Sequence, residues 1–284
     1  LPIPMMNIIN GGAHANNKLD FQECMIMPIG FPKFSDALRA GTEIFSILKG
    51  ILSQKGFSIA VGDEGGFAPE INNLKEALTF ISEAVDLSDY KLGENIFIAI
   101  DAAASELYKD GKYHLKGENK TLSTDDLIKF WVKMCDEFPI VSVEDPFDEN
   151  DWDGFKKLTK LIGSKVQVVG DDLFVTNKTR LLSGIEKKAA NSILIKLNQI
   201  GTLSETIEAM ELAKNSKFGV VVSHRSGETE DVFISDLSVA LNAGQIKTGS
   251  LSRSDRTSKY NQLTRIEEML GDEGYYYGNE FLKS

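Results

Sequence analysis

Short apolar runs alternate with longer stretches of helical periodicity along most of the chain. From residue 96 onward the apolar runs cover 96–100, 140–143, 166–169, 192–195, 220–222 and 245–247. Most of them precede a helical stretch, and these stretches lie at 125–138, 152–162, 178–188, 204–214, 231–241 and 259–270. Because the runs are apolar at nearly every position, they are typical of strands buried on both faces of a parallel sheet. The pattern predicts six consecutive βα units.

The residues before position 96 follow a less regular pattern. Apolar runs at 5–9 and 21–29 predict two strands, and helical spacing predicts helices at 35–55 and 74–85, with Ser35 capping the first helix. If the opening pair joins the six later strands, eight strands close an α/β barrel of the TIM type, (β/α)8, with an irregular β-β-α-α start. The G-x-G-x-x-G fingerprint of a dinucleotide-binding fold follows none of the strands, which counts against an open doubly wound sheet.

Composition narrows the class of protein. The chain has 284 residues, 42% hydrophobic and 26% charged, which excludes a disordered, collagen-like or coiled-coil protein and fits one large domain over 1–284. Its net charge of −11 argues against nucleic acid or an anionic membrane as partner. The sequence contains no run of 18 apolar residues and therefore predicts no membrane span. The two cysteines, Cys24 and Cys135, are too few for a disulfide framework or a cysteine zinc site and are expected as buried thiols in a cytoplasmic protein.

An ionisable residue stands at or near the carboxyl end of each of the six later strands. These residues are Asp101, Glu144, Asp171, Lys196, His224 and Lys247. A single charged residue at a strand end is usually only a solvated edge. Six in six consecutive units are harder to dismiss, because parallel barrel strands bring all their carboxyl ends to one face, where barrel enzymes keep their catalytic groups. The spacing predicts an active site at that face.

The three carboxylates predict a metal site. Asp101, Glu144 and Asp171 on neighbouring strands would repel one another unless a cation lies between them. Oxygen ligands suit Mg²⁺, and the scarcity of cysteine and histidine argues against zinc. The alternative is a network of salt bridges with Lys196 and Lys247.

The two lysines predict a general base and an anion holder. A lysine beside a metal and a second lysine has reason to lose its proton, because like charge and partial burial both disfavour the ammonium form. Lys196 would then act as a base while Lys247 stays charged and holds an anion. The alternative is that both lysines only neutralise the acidic residues.

Three loops rich in glycine and polar residues lie at 10–15, 62–70 and 223–231, where glycine allows close approach of the backbone to a ligand. Glu64 and Glu23 are candidates for acid catalysis, and Arg225 with Ser226 suits a phosphate group. Taken alone, such loops are usually simple turns. His14 and His224 lie in them, and His114 is expected in a surface hairpin.

The motifs MMNIINGGAHA, FQE, VGDEGGFAP, DAAASE, VSVEDPFDENDW, GDDLFVTN, NSILIKLNQIGTL, SHRSGETED and IKTGSLSRSDR resemble those of the enolase family in their sequence and their order. The resemblance covers Leu1 to about Gly271. It implies an enolase-type barrel and a lyase of glycolysis and gluconeogenesis. Its reaction would be the reversible dehydration of a small phosphorylated three-carbon acid, 2-phospho-D-glycerate, to phosphoenolpyruvate.

The resemblance also implies a role for each candidate residue. Lys196 would take the C2 proton, Glu64 would help the C3 hydroxyl to leave, and Glu23 would support Glu64. The remaining residues would act as follows: Asp101, Glu144 and Asp171 hold the tighter of two Mg²⁺ ions, Lys247 binds the carboxylate, Arg225 and Ser226 bind the phosphate, and His14, Gln22 and the catalytic His224 line and orient the pocket.

Further expectations concern the whole protein. Members of the family carry an amino-terminal α+β domain before the LPIPMMN segment, with a loop serine for the second metal ion. We therefore expect this chain to be a fragment that binds one Mg²⁺ and catalyses poorly alone. The family resemblance implies a homo-oligomer in the cytoplasm, with an additional cell-surface or secreted pool. Two alternatives stay open: another enolate-forming enzyme of the superfamily, such as a racemase or cycloisomerase, and a partner-binding surface protein that uses a lysine such as Lys283.

Overall fold

A closed barrel of eight strands forms the centre of the computed structural model, which describes residues 1–281 apart from the side chains of His14 and Asn279. The barrel strands are β1 (Ile3–Asn10), β2 (Glu23–Pro28), β3 (Ile96–Asp101), β7 (Ile140–Glu144), β8 (Gln167–Gly170), β9 (Ser192–Ile195), β10 (Gly219–Ser223) and β11 (Gly244–Lys247). Each strand runs beside the next in the order β1-β11-β10-β9-β8-β7-β3-β2. The predicted α/β barrel is therefore confirmed. Lys283 lies outside the described residues.

Strand β2 is the exception in a barrel that is otherwise parallel. It pairs antiparallel with both β1 and β3, whereas all the other neighbouring pairs are parallel. The amino end of β2 therefore lies at the same rim as the carboxyl ends of the other seven strands. Glu23, the first residue of β2, pairs in register with Asp101, the last residue of β3.

Helices surround the barrel on the outside. They are α1 (Phe34–Gln54), α2 (Leu74–Asp86), α3 (Thr124–Glu137), α4 (Trp152–Ile162), α5 (Lys178–Lys187), α6 (Leu197–Ile200), α7 (Leu203–Asn215), α8 (Phe233–Ala240), α9 (Ser254–Leu270) and α10 (Gly278–Phe281). Between β3 and α3 the chain forms a small antiparallel sheet of β4 (Tyr108–Lys109), β5 (Lys112–Leu115) and β6 (Lys120–Leu122). His114 lies on that sheet, as expected. None of the helices among the described residues is both long and apolar enough to span a membrane.

Helix α9 begins five residues before the predicted start at Lys259. Its first turn buries the polar side chain of Arg256 rather than an apolar one, so hydrophobic spacing could not reveal it. Helix α1 also differs from the prediction, because Ser35 lies inside its first turn and does not cap it. The carboxylate of Glu267, on α9, instead accepts hydrogen bonds from the backbone N–H groups of Phe34 (2.6 Å) and Ser35 (3.0 Å).

The apolar core fills the space between the barrel and its helices. Strand β1 is buried along its whole length, and the side chains of Ile44 and Leu48 on α1 are fully buried. Inside the barrel, near the amino ends of β8 and β11, the side chains of Gln167 and Gln245 exchange hydrogen bonds of 2.8 and 3.0 Å. The opposite end of the barrel is where the ionisable residues gather.

Candidate active site

A polar cavity of about 270 Å³ opens at the rim formed by the carboxyl ends of the parallel strands. Ten of the twelve predicted site residues line it, namely Gln22, Glu23, Glu64, Asp101, Asp171, Lys196, His224, Arg225, Ser226 and Lys247. Of the other two, Glu144 is fully buried at the end of β7, and the side chain of His14 lies outside the described residues. The structure therefore brings together residues that are far apart in sequence.

Three kinds of backbone segment deliver these side chains. Asp101 and Lys247 end parallel strands, and Glu23 reaches the same rim because β2 runs in the opposite direction. Glu64 arrives on the loop between α1 and α2. That loop is held against the barrel where the N–H of Asn10 donates to the carbonyl of Phe67 (2.8 Å). Loops and strand ends thus supply different groups to one cavity.

Lys247 is the centre of a buried ion cluster. Its Nζ lies 2.6 Å from Asp101 Oδ2, 2.9 Å from Glu144 Oε1 and 2.9 Å from Glu23 Oε1, and its side chain is only 3% exposed. Burial disfavours the ammonium, but the attraction of Asp101, Glu144 and Glu23 outweighs it and raises the pKa of Lys247 well above its usual range. Lys247 is therefore charged, as the sequence predicts.

The charge on Lys196 differs from the prediction, which was that this lysine loses its proton. Its ammonium forms a salt bridge with Asp171 Oδ2, and its backbone N–H donates to Thr176 Oγ1 (2.9 Å). Burial works against the charge, but the attraction of Asp171 overcomes the effects of burial and of the charge on Lys247, so the pKa of Lys196 is raised. Both lysines thus make the salt bridges that the sequence left open as the alternative to a metal site.

The acidic residues nevertheless retain oxygens that suit a cation. Glu144 Oε2 and Asp171 Oδ1 are buried and make no hydrogen bond, which is costly for a carboxylate unless another charge compensates. The predicted trio of Asp101, Glu144 and Asp171 is not among the residue sets in the described chain whose ligand atoms all lie within 4.8 Å of one another. One oxygen of each of these three carboxylates is instead bound by a lysine, Lys247 or Lys196.

Asp145, Asp171 and Asp172 form one set of residues whose ligand atoms all lie within 4.8 Å of one another. Their carboxylates are hard oxygen ligands of the kind that Mg²⁺ prefers. Asp145 is buried with a φ of 39°, and it accepts hydrogen bonds from the backbone N–H groups of Asp171 (2.9 Å) and Asp172 (2.7 Å). Burial, and then the charge of Asp171, raises the pKa of Asp145 well above its usual range. The sequence reasoning missed Asp145, although a second acidic residue directly after Glu144 was a visible signal.

The other set is Glu23, Glu64 and His224. Glu64 Oε2 accepts a hydrogen bond from Asn7 Nδ2 (2.9 Å), and His224 Nε2 lies 3.4 Å from Glu64 Oε1. Burial, and then the charge of Glu64, raises the pKa of Glu23 well above its usual range. Burial lowers the pKa of His224. Glu64 opposes this shift to a smaller extent, and the neighbouring positive charges add to it. A carboxylate cluster and a neutral imidazole therefore face the same space.

The rim carries the remaining candidates. Arg225 is half-buried, and its Nη1 donates to Asn198 Oδ1 (3.0 Å), while Ser226 is exposed. Gln22 Nε2 donates to Asp101 Oδ2 (3.1 Å). Arg256, which the sequence reasoning did not single out, is fully buried beneath this rim and hydrogen-bonds His224.

One comparison with known proteins bears on this site. The family model described as "Enolase, C-terminal TIM barrel domain" matches residues 1–284, the whole chain.

Proposed function

The chain belongs to the family of enolase carboxy-terminal TIM barrels, and from this premise we propose that it catalyses the Mg²⁺-dependent, reversible dehydration of 2-phospho-D-glycerate to phosphoenolpyruvate. The observation that carries the proposal is the convergence of Lys196 and Glu64 on one cavity, from different elements, beside a buried acidic cluster. The family and the acidic cluster by themselves support a more general conclusion than this reaction, namely an enolase-type domain with carboxylates able to bind a metal ion.

The difficult step is removal of a proton next to a carboxylate, because it adds charge to a group that is already an anion. Mg²⁺ supplies electrostatic stabilisation of that charge when it is bound. Asp101, Glu144 and Asp171 are the residues that we propose hold it. The buried oxygens Glu144 Oε2 and Asp171 Oδ1, which lack hydrogen bonds, support this assignment.

Lys196 is the proposed base for the C2 proton. It acts only as a neutral amine, and Asp171 is the partner that keeps it charged. Lys196 would be neutral and able to take the proton only while its salt bridge with Asp171 is broken. The raised pKa of Lys196 is thus a property of its pairing with Asp171 and is compatible with a base that is freed when the pair separates.

Glu64 is the proposed acid for the departing C3 hydroxyl, with Glu23 beside it. Asn7 fixes one oxygen of Glu64, which leaves the other to face His224 and the cavity. Lys247 is the proposed cation for the substrate carboxylate. Arg225 and Ser226 on the rim are the proposed phosphate contacts, since a guanidinium matches phosphate oxygens.

The test separates the two proposed proton transfers. Exchange of the C2 proton of 2-phosphoglycerate with D₂O is followed by NMR, and formation of phosphoenolpyruvate is followed by absorbance, both with Mg²⁺. The assay uses the 284-residue chain and, in parallel, the chain extended by the amino-terminal α+β domain that the family resemblance leads us to expect. We expect the extended protein to be the more active.

Two variants have distinct expected results. Lys196→Ala should lose both exchange and dehydration, whereas Glu64→Gln should keep exchange and lose dehydration by about 10²–10⁴-fold. Lys178→Ala, at an exposed position on α5, is the control and should match the unchanged protein. The proposal is refuted if neither preparation forms phosphoenolpyruvate, or if Lys196→Ala still exchanges the proton. Turnover of unphosphorylated acids instead would favour another enolate-forming enzyme.

A further inference from the structure

Arg256 connects three parts of the cavity wall through one guanidinium. It lies in the first turn of α9 and is fully buried. Nη1 hydrogen-bonds His224 Nδ1 and donates to the carbonyl of Arg225 (2.8 Å), and Nη2 donates to the carbonyls of Asp63 (3.1 Å) and Ser226 (2.7 Å). The side chain therefore joins α9 to the loop that carries Glu64 and to the loop that carries His224.

The contact with His224 fixes where the imidazole carries its proton. A guanidinium has only donors, so His224 Nδ1 must be the acceptor. A neutral ring that accepts at Nδ1 carries its hydrogen on Nε2. That nitrogen is buried, makes no well-formed hydrogen bond and lies 3.4 Å from Glu64 Oε1 at the cavity. An N–H group is thus directed at the proposed acid and at the space where a ligand binds.

We propose that Arg256 is a positioning residue that holds His224 as the neutral tautomer protonated at Nε2. The consequence for catalysis rests on the proposed function of Glu64. In the other tautomer the lone pair of Nε2 would face Glu64 and accept a hydrogen bond from its carboxyl proton, which would direct that proton away from the departing hydroxyl. In the imidazolium form an N–H of His224 would face the guanidinium. Arg256 opposes both forms and keeps an N–H donor directed into the cavity.

The wall around Arg256 is shaped to admit its side chain. Gly249, two residues after the end of β11, has a φ of +84°. A Cβ at this position would lie 2.6 Å from Arg256 Cδ and 2.8 Å from the carbonyl oxygen of Glu64. The absence of a side chain at Gly249 therefore lets the stem of Arg256 pass between β11 and the loop that carries Glu64.

The unchanged protein provides the first test, and it needs no substrate. The chain has three histidines, so the imidazole nitrogens of a ¹⁵N-histidine sample give few signals. His114→Gln and His14→Gln identify the signals of His224 by elimination. The expected spectrum at neutral pH shows His224 protonated at Nε2 and not at Nδ1. A ring protonated at Nδ1, doubly protonated or averaged between tautomers would overturn the proposal, whatever the activity.

Variants of Arg256 provide the second test. Arg256→Met should release the tautomer and lower dehydration by about 10²-fold, while exchange at C2 falls by less than about tenfold. Arg256→Lys, which keeps a cationic donor, should restore the Nε2–H tautomer and part of the dehydration. Arg265→Met, an exposed arginine on the same helix, is the matched control and should change neither readout.

The two hypotheses fail in different ways. Absence of dehydration in the unchanged protein refutes the proposed function, while the histidine spectrum still decides the tautomer. If Arg256→Met folds, retains the Nε2–H tautomer and loses exchange and dehydration equally, Arg256 has only a structural role and the inference is wrong. If Arg256→Met does not fold, the spectrum of the unchanged protein and the Arg256→Lys variant decide.

Discussion

Replacing Lys247 with methionine should destabilise the folded protein severely and make its stability depend on divalent cations. Methionine keeps the length of the side chain and removes its charge. In the structure the ammonium lies within 2.9 Å of carboxylate oxygens from three residues, Glu23, Asp101 and Glu144. The variant would leave three acidic groups buried together without the cation that compensates them.

The size of the effect follows from burial. Lys247 and its three partners have side chains that are at most 4% exposed, so water cannot screen the charges. Breaking a buried ion pair by removing one partner costs about 3–5 kcal/mol. We take this range for the whole cluster, because one carboxylate can take up a proton at neutral pH and limit the loss. With a urea slope of about 3 kcal/mol per M, the unfolding midpoint falls by about 1–2 M.

The assay is urea unfolding, followed by circular dichroism, in EDTA and again in Mg²⁺. A cation that binds only the folded state at about 100 times its Kd adds about 2.7 kcal/mol to the free energy of unfolding. Lys247→Met should gain more from Mg²⁺ than the unchanged protein does, because no ammonium competes for Asp101 and Glu144. Lys178→Met is the control, since this lysine pairs with Glu208 at an exposed position. Equal midpoints for Lys247→Met and the unchanged protein in EDTA, or a smaller gain from Mg²⁺ in the variant, would refute the reasoning.

Three further predictions concern other parts of the molecule. Asp145→Asn, which removes the carboxylate that holds the backbone of Asp171, should weaken Mg²⁺ binding by about 10–100-fold in calorimetry. Glu267→Ala, which removes the acceptor at the start of α1, should lower the free energy of unfolding by about 1 kcal/mol. Cys24 is fully buried, and burial raises the pKa of Cys135 to about 12, so neither thiol should react rapidly with a disulfide reagent at pH 8, and Cys135 should gain reactivity only as the pH rises towards that value.

Each of these three has a result that contradicts it. Unchanged Mg²⁺ affinity in a folded Asp145→Asn would show that the position of Asp171 does not depend on this carboxylate. A folded Glu267→Ala variant that unfolds at the same urea concentration as the unchanged protein would show that the two accepted hydrogen bonds do not stabilise the start of α1. Cys135 is only partly buried, which differs from the expectation of two buried thiols. Rapid reaction of Cys24 at pH 8 would show that its burial is incomplete in solution, and rapid reaction of Cys135 would show that its surroundings do not raise its pKa as far as about 12.

Much of the barrel could be predicted from local patterns. Runs such as Ile96–Asp101 and Ser192–Ile195 are apolar at nearly every position because both faces of these strands are buried, so they are visible in the sequence. Helix ends were less predictable. The first turn of α9 buries Arg256, and α1 is capped by Glu267 from another helix, and neither contact follows from nearby residues.

The candidate site was likewise predictable only in part. Asp101 and Lys247 end their strands, and the rule that parallel strands present these ends at one rim was enough to bring them together. Glu23 begins its strand instead, so the rule about carboxyl ends did not place it at the rim, although its residue type made it a candidate for acid catalysis. The antiparallel direction of β2 explains its location, and strand direction cannot be read from the hydrophobicity of a single run.

The sequence by itself determined which elements form, that they close into a barrel, and which acidic and basic residues reach one rim, because these depend on local periodicity and on the order of strands. Only the tertiary structure decided which charges pair. Lys247 is held among three carboxylates, Lys196 is bound to Asp171, and Arg256 sets the proton of His224. Such pairings depend on distances of a few ångströms and on exclusion of water, and both arise only when distant segments pack together.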